Sequence, residues 1–312
     1  MKDKLDEIMS ILFERGGLTE EHRRFLLDCG LSETAFTGRL ISGNPVVLDK
    51  VFPELEKRGL VSAAIELGIL VEERGSTTWG LDFAWGGLLV QYRGRDGRPL
   101  GVSRLGSGTM LPAGPCVFGL DRLSGSSEYP IVGRKELTSM VLAQVGFDVV
   151  AVPGPLEGIR TGLERLLEVL KKVRPTKVYV LVEGDRLPAS QPSAGTSAFE
   201  DPAADARAFA LSVARQIEFA GLGAEVLDLG AAGLPQAGPE GSSEAARVET
   251  MVVDAMESSA PWAAYLEKQT PELRGAVARA WETAWELGRR APNCASSGAR
   301  STKTAWTARS SM

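Results

Sequence analysis

The chain has 312 residues, 44% of them hydrophobic, and a formal net charge of −5. It can fill one large core or two ordinary ones, and it is too acidic for indiscriminate electrostatic attachment to nucleic acid. Its scattered cysteines, Cys29, Cys116 and Cys294, and its single histidine, His22, exclude a zinc ribbon or finger and remove the usual base of serine hydrolases, cysteine proteases and His-dependent enzymes.

Free thiols, the lack of an apolar signal core and the lack of an apolar run of membrane-spanning length lead to the expectation of a soluble, cytoplasmic protein with no membrane partner. Residues 1–75 read as a helical module. Leu5, Ile8, Met9 and Leu12 recur at helical spacing, and Thr19-Glu20-Glu21-His22 opens a second helix as a hydroxyl cap followed by acids. Gly30 stops that helix, Leu31-Ser32-Glu33 starts another, and two more meet at Gly59. His22, inside the charged segment Glu20 to Arg24, reads as an ordinary helix-surface residue.

Residues 76–129 change period. Leu88 to Tyr92 and Leu100 to Ser103 are strands flanking Arg95-Asp96-Gly97-Arg98, where the Asp-Gly pair marks a hairpin turn. Arg93, Arg95, Arg98 and Arg104 surround it, and two readings stand: solvated charges on a plain hairpin, or a basic surface facing nucleic acid.

Residues 130–230 alternate strand and helix: Pro130 to Val132, Leu137 to Val145, Val149 to Val152, Leu156 to Val173, Val178 to Val182, Ala204 to Ala220 and Glu225 to Leu229. That order implies a parallel sheet with crossover helices. Pro188 to Pro202 and Gly230 to Ser243 read as flexible loops. Residues 244–288 return to helix, with Trp262, Trp281 and Trp285 assigned to packing rather than base stacking. Residues 289–312 lose their acids while keeping Arg289, Arg290, Arg300, Lys303 and Arg309, which predicts a disordered basic tail.

Function turns on Ile131 to Asp185, where two short apolar strands end in Arg134-Lys135-Glu136 and Glu183-Gly184-Asp185. Acidic clusters at the carboxyl ends of neighbouring parallel strands are how an α/β domain assembles a Mg²⁺ site for phosphate chemistry. The plainer alternative is a pair of solvated acids for Glu183 and Asp185 and a surface turn for Arg134 and Lys135. Gly154 and Gly158 in Pro153-Gly154-Pro155-Leu156-Glu157-Gly158 suggest a phosphate loop opening a helix, but no Lys-Ser/Thr follows, which argues against a nucleotide-binding P-loop.

From Leu18 to Leu273 the order of elements resembles the catalytic core of the bacterial replicative primases and of the primase-like replication proteins of plasmids and phages. The resemblance rests on Leu18-Thr19-Glu20-Glu21-His22 with Cys29-Gly30-Leu31-Ser32-Glu33-Thr34, and on Leu88-Leu89-Val90-Gln91-Tyr92-Arg93 with Asp96-Gly97-Arg98-Pro99-Leu100-Gly101. Cys116-Val117-Phe118-Gly119-Leu120-Asp121 is similar to the family's Leu-Tyr-Gly-Leu element. Leu142-Ala143-Gln144-Val145-Gly146 and Val149-Val150-Ala151-Val152-Pro153-Gly154 resemble the first helix and second strand of the topoisomerase-primase (toprim) fold. The implied fold is α/β: an amino-terminal helical module and a β-hairpin that is the primase-core subdomain, then a toprim-like parallel sheet flanked by helices, then carboxyl-terminal helices.

In that fold the first strand ends in Val-Glu-Gly, whose glutamate is the proposed acid/base, and the third ends in Asp-x-Asp, which holds Mg²⁺. The resemblance makes Glu183 and Asp185 the metal ligands, with glutamate for the first aspartate. It sets Arg134 where the catalytic glutamate belongs, Lys135 for the glycine and Glu136 two residues later. An arginine about 5 Å from a divalent cation is repelled by roughly 7 kcal/mol at an effective dielectric near 20. Either Glu136 substitutes after a slip in register, or Arg134 takes the metal's place as a counterion to Glu183 and Asp185.

The implied function is that of a primase-like DNA replication protein of a mobile element. It would bind single-stranded DNA and nucleotides, hold Mg²⁺ or Mn²⁺ and no zinc, and carry out nucleotidyl transfer if active, with a helicase or initiator protein as partner. The alternatives are a non-catalytic toprim-fold nucleic-acid-binding protein, and a toprim nuclease or nucleotide-binding regulator.

Overall fold

A computed structural model describes residues 2–73, 76–80, 87–154, 159–183, 202–229, 234, 238, 241–271, 274–275 and 277–278. The first helix, α1 (Lys2–Arg15), buries Leu5, Ile8, Met9 and Leu12 as their spacing requires. The hydroxyl of Thr19 accepts the His22 N–H at 3.3 Å and caps α2 (Glu20–Asp28). Helices α3 (Glu33–Phe36), α4 (Pro45–Leu48), α5 (Phe52–Lys57) and α6 (Val61–Glu66) follow, with Gly59 at φ +66° between the last two.

The amino-terminal third is not wholly helical. Strand β1 (Leu40–Ser42) is buried along its length, and β2 (Leu70–Glu73) and β3 (Ser76–Trp79) form an antiparallel hairpin. Three or four residues are too few for a two-residue period to show in sequence. Half-buried His22 is also more than a surface residue: its Nδ1 lies 2.7 Å from the hydroxyl of buried Ser42, which accepts the Thr19 N–H at 2.8 Å.

The expected hairpin is β4 (Leu88–Arg93) and β5 (Pro99–Arg104), and β1 pairs antiparallel with β4 to give the order β1-β4-β5. Gly97 takes φ +74°, and Gly94 N–H donates to the Arg98 carbonyl at 2.8 Å. Alternation along β4 divides the interior. Leu88, Val90 and Tyr92 join one core cluster with Ile131, Val149, Tyr179 and Leu181, whereas Leu89 joins another with α1, α5 and α6. The hairpin sheet is thus a wall between the amino-terminal helices and the α/β layer.

A short 3₁₀ turn, Leu120–Arg122, leads into the second sheet, made of β6 (Ile131–Gly133), β7 (Val149–Ala151), β8 (Val178–Val182) and β9 (Ala224–Asp228). All four strands are parallel, in the order β7-β6-β8-β9. Helices α7 (Glu136–Gln144), α8 (Arg160–Val173) and α9 (Pro202–Phe219) connect them, so the α/β expectation holds. Val132, Val150, Val180 and Val226 face α8 and α9, while Ile131, Val149, Tyr179 and Leu227 face α7 and the hairpin. Helices α10 (Ser243–Glu257) and α11 (Trp262–Glu267) close the described chain. Trp262 packs on the first of these clusters, donating to Glu218. Trp281, Trp285 and the basic tail 289–312 lie outside the described residues, as do Leu156 to Gly158 and most of the two expected loops.

The loop after β5 locks the hairpin to the parallel sheet. Gly108 has φ +69°, and a Cβ there would lie 2.5 Å from Gly154 Cα and 2.9 Å from the Pro153 carbonyl. Gly108→Ala is expected to destabilise the protein by about 2 to 4 kcal/mol, combining backbone strain with a clash against main chain. Urea unfolding measures it, and an unchanged midpoint would refute this contact.

Candidate functional site at the ends of two parallel strands

Strand β6 leads through α7 to β7 on one side, and the chain then returns through α8 to place β8 on the other side. The crevice beyond the carboxyl ends of β6 and β8 is therefore the topological switch point, where open α/β sheets bind ligands. Glu183 stands there, one residue beyond β8 and only 6% exposed.

Its carboxylate is held by main chain from the neighbouring strand end. Oε1 accepts Arg134 N–H at 3.1 Å and Lys135 N–H at 3.2 Å, and Oε2 accepts Lys135 N–H at 3.0 Å. Gly133 makes this possible, because a Cβ there would lie 2.6 Å from Oε1. Burial pushes Glu183 up to about 7, against the pull of the Lys135 charge and of the two N–H donors.

The guanidinium of Arg134 turns to other partners. Nε donates to the Gly154 carbonyl at 2.9 Å, a terminal nitrogen pairs with Asp205 Oδ2 at 2.5 Å, and Cζ lies 5.5 Å from the centre of the Phe209 ring. Of the expected counterion pairing, the described residues show the Arg134 amide on Glu183 and the Arg134 charge acting on its pKa, while the Asp185 half lies outside them. Glu183 takes the Arg134 amide, and Asp205 of α9 takes its charge. Sequence reasoning passed over Asp205, whose one signal was its place as an acid in the first turn of a helix. Asp185 and Gly184 lie outside the described residues.

Glu136, the candidate substitute, is fully buried and engaged with the hairpin. Tyr92 Oη donates to its Oε1 at 2.8 Å and Gly106 N–H donates at 3.3 Å. Burial raises its pKa and that of the tyrosine; the adjacent Cys116 thiol is pushed up to about 12 by burial and by the Glu136 charge. This carboxyl is a tie between α7 and the hairpin.

The four hairpin arginines fall at two ends of the sheet. Arg104 pairs in register with Leu89, and Arg93 with Pro99, so the two are separated by roughly 14 Å along the strand. Arg104 is exposed, next to the loop that packs on Gly154. At the other end, Arg93 Nε donates to Gln91 at 2.6 Å, Arg95 Nε donates to the Leu123 carbonyl at 3.2 Å and Arg98 lies 3.8 Å from Asp6.

In comparisons with known proteins, no family model matches this chain and no curated protein matches it. Among solved structures, it is similar to the crystal structure of the zinc-binding and RNA polymerase domains of the Aquifex aeolicus primase, with a TM-score of 0.53 and 16% identity over 92% of this chain and 69% of that one. The fold is therefore primase-like. No described helix is long and apolar enough to cross a membrane.

The cofactor expectation is corrected as well. Among the described residues no group of three or more His, Cys, Asp or Glu converges as metal ligands: Glu183 is bonded to main chain and Glu136 to the hairpin. The similar primase structure, for its part, includes a zinc-binding domain. Neither magnesium or manganese here nor the exclusion of zinc stands as a property of this protein.

Two outcomes follow from the buried acids. Because the folded state raises the Glu183 pKa, its neutral form stabilises the fold below about pH 4.5, and that contribution is lost as pH rises through about 7. The size is on the order of 3 kcal/mol. Glu183→Gln is expected to flatten the fall in stability between these pH values, leaving the share due to Glu136; chemical denaturation across pH checks this, and an unaltered slope would contradict it. Tyr92→Phe is expected to lower stability by about 1 to 3 kcal/mol by removing a donor from buried Glu136, with Glu136→Gln in the same background recovering part of the loss.

Proposed function

We propose that this chain is a primase-like replication protein of the kind carried by plasmids, phages and other mobile elements, which binds single-stranded DNA beside a toprim-like sheet and acts by binding rather than by nucleotidyl transfer. The reading is carried by the state of the strand-end crevice. An acid/base glutamate must present its carboxylate to substrate, and that of Glu183 is folded onto the Arg134 and Lys135 amides. Where the resemblance sets the catalytic glutamate there is a guanidinium fixed by Asp205 and the Gly154 carbonyl.

The primase-like fold supports the replication class. The exposed guanidinium of Arg104, beside the loop that reaches Gly154, supports a phosphate track at the crevice mouth. In this assignment helices α1 to α6 buttress the hairpin subdomain, which holds the strand against the α/β domain, and α10 and α11 pack on the latter. The protein works in the cytoplasm, and a helicase or initiator brings it to its template.

Arg104→Gln is expected to weaken binding of labelled oligo-dT about 3- to 10-fold and to reduce the salt slope of log K by about 0.7. Fluorescence anisotropy at several salt concentrations reads both, and a variant equal to wild type would remove the crevice mouth from this reading. Incubation with labelled nucleotides and a single-stranded template is expected to give no oligomers. Template-dependent synthesis that disappears in Glu183→Gln would overturn the binding-only assignment.

A further inference from the structure

The end of the hairpin remote from the crevice gathers charge that the proposed function does not use. Arg39 immediately precedes β1, and its carbonyl accepts the Gln91 N–H at 2.9 Å, which places it beside the end of β4. Arg93 lies at that same end, with Nε on Gln91 at 2.6 Å and a terminal nitrogen 3.4 Å from the Gly38 carbonyl. Arg122 closes the 3₁₀ turn, donates to the Ser139 carbonyl at 3.0 Å and sits 5.4 Å from the centre of the Phe118 ring.

Among the described residues a single carboxylate pairs with this group. Asp121 Oδ2 accepts from Arg39 at 2.9 Å, while its Oδ1 is buried with no hydrogen-bond partner among the described residues. Three guanidinium charges against one carboxylate leave an excess of two. Burial lowers the pKa of Arg93 and takes that of Arg122 down to about 10, with the Arg39 charge the next cause in both cases. Like charges held together in a shielded place leave a positive field that one carboxylate does not neutralise. The Arg39 side chain is 24% exposed, so the group reaches solvent.

We propose that Arg39, Arg93 and Arg122, gathered around Asp121, form a second anion site that takes a phosphoryl group. The chemistry fits that class. Guanidinium forks present paired N–H donors to tetrahedral oxyanions, and the bonds named above use only part of the five donors each arginine carries. The excess of two positive charges matches a phosphomonoester, which carries about −1.5 to −2 at neutral pH. A free phosphate, the phosphorylated end of a strand and a backbone phosphodiester share this chemistry. The site does not depend on the replication reading, because it lies at the other end of the hairpin from Arg104.

Inorganic phosphate is titrated by calorimetry into the full chain, Arg39→Gln and Asp121→Asn. Arg39→Gln is expected to bind about tenfold more weakly, the loss of one charge-assisted contact, and Asp121→Asn more tightly. Both variants break the same ion pair, so a merely structural role would move them alike in stability and leave phosphate affinity unchanged, which would overturn the site. Should Arg39→Gln fail to fold, Asp121→Asn decides by itself, and no gain in affinity refutes the proposal. Oligo-dT with a 5′ phosphate and with a 5′ hydroxyl then separates the sources. Tighter binding of the phosphorylated strand, lost in Arg39→Gln, marks a terminal phosphate; equal binding of both, weakened in Arg39→Gln, marks the backbone. No phosphate binding by the wild-type chain would end the proposal.

Discussion

The architecture of the crevice depends on the need to satisfy two main-chain N–H groups where β6 gives way to α7. A helix start leaves donors without intrahelical partners, and burying them unpaired costs on the order of the desolvation of a peptide group. Glu183 meets that need from the neighbouring strand end. The solution constrains its surroundings: residue 133 must lack a Cβ, β8 must lie beside β6, and the carboxylate must be dry. A carboxyl held near neutrality by burial and ringed by amides is well suited to joining two strands. It is poorly placed to move protons to and from a substrate.

The same logic of tying layers together explains the polar residues in the interior. The β1-β4-β5 wall has apolar residues on both faces, so packing alone would allow it to slide against the α/β layer. Tyr92 prevents this with one hydroxyl, reaching across to Glu136 at the start of α7, while Gly106 supplies a second donor to the same carboxylate. The close approach of Gly108 to Gly154 fixes the loop that follows. The hairpin and the crevice are thus held by directional contacts as well as by shared apolar surface.

The sequence was most legible where the pattern is local. The helix cap at Thr19, the Asp-Gly turn and the four parallel strands declare themselves through residue type and period. Strand β1 does not, because Leu40 to Ser42 is a strand only by virtue of its pairing with β4. Proximity in sequence also misled, since grouping Arg93, Arg95, Arg98 and Arg104 as one surface overlooks that an antiparallel hairpin separates its strand ends. Arg134 was legible as a charge at a strand end, but its partner was not. Asp205 is 71 residues away, beyond two further strands and two helices.

That partner explains how the fold tolerates a cation at this place. A guanidinium left unpaired beside buried Glu183 would have to be compensated by the carboxylate, drawing it off the amides that join the strands. Asp205, the Gly154 carbonyl and the Phe209 ring together take up the charge, one fork position and the planar face of Arg134, so Glu183 is left to the backbone. The pair is only 20% and 15% exposed, where an ion pair contributes more by fixing geometry than by net stability. The ion pair pins α9 to the end of β6 beside the crevice. Glu183 and Asp205 thus divide the work at this strand end, one holding main chain and the other holding charge.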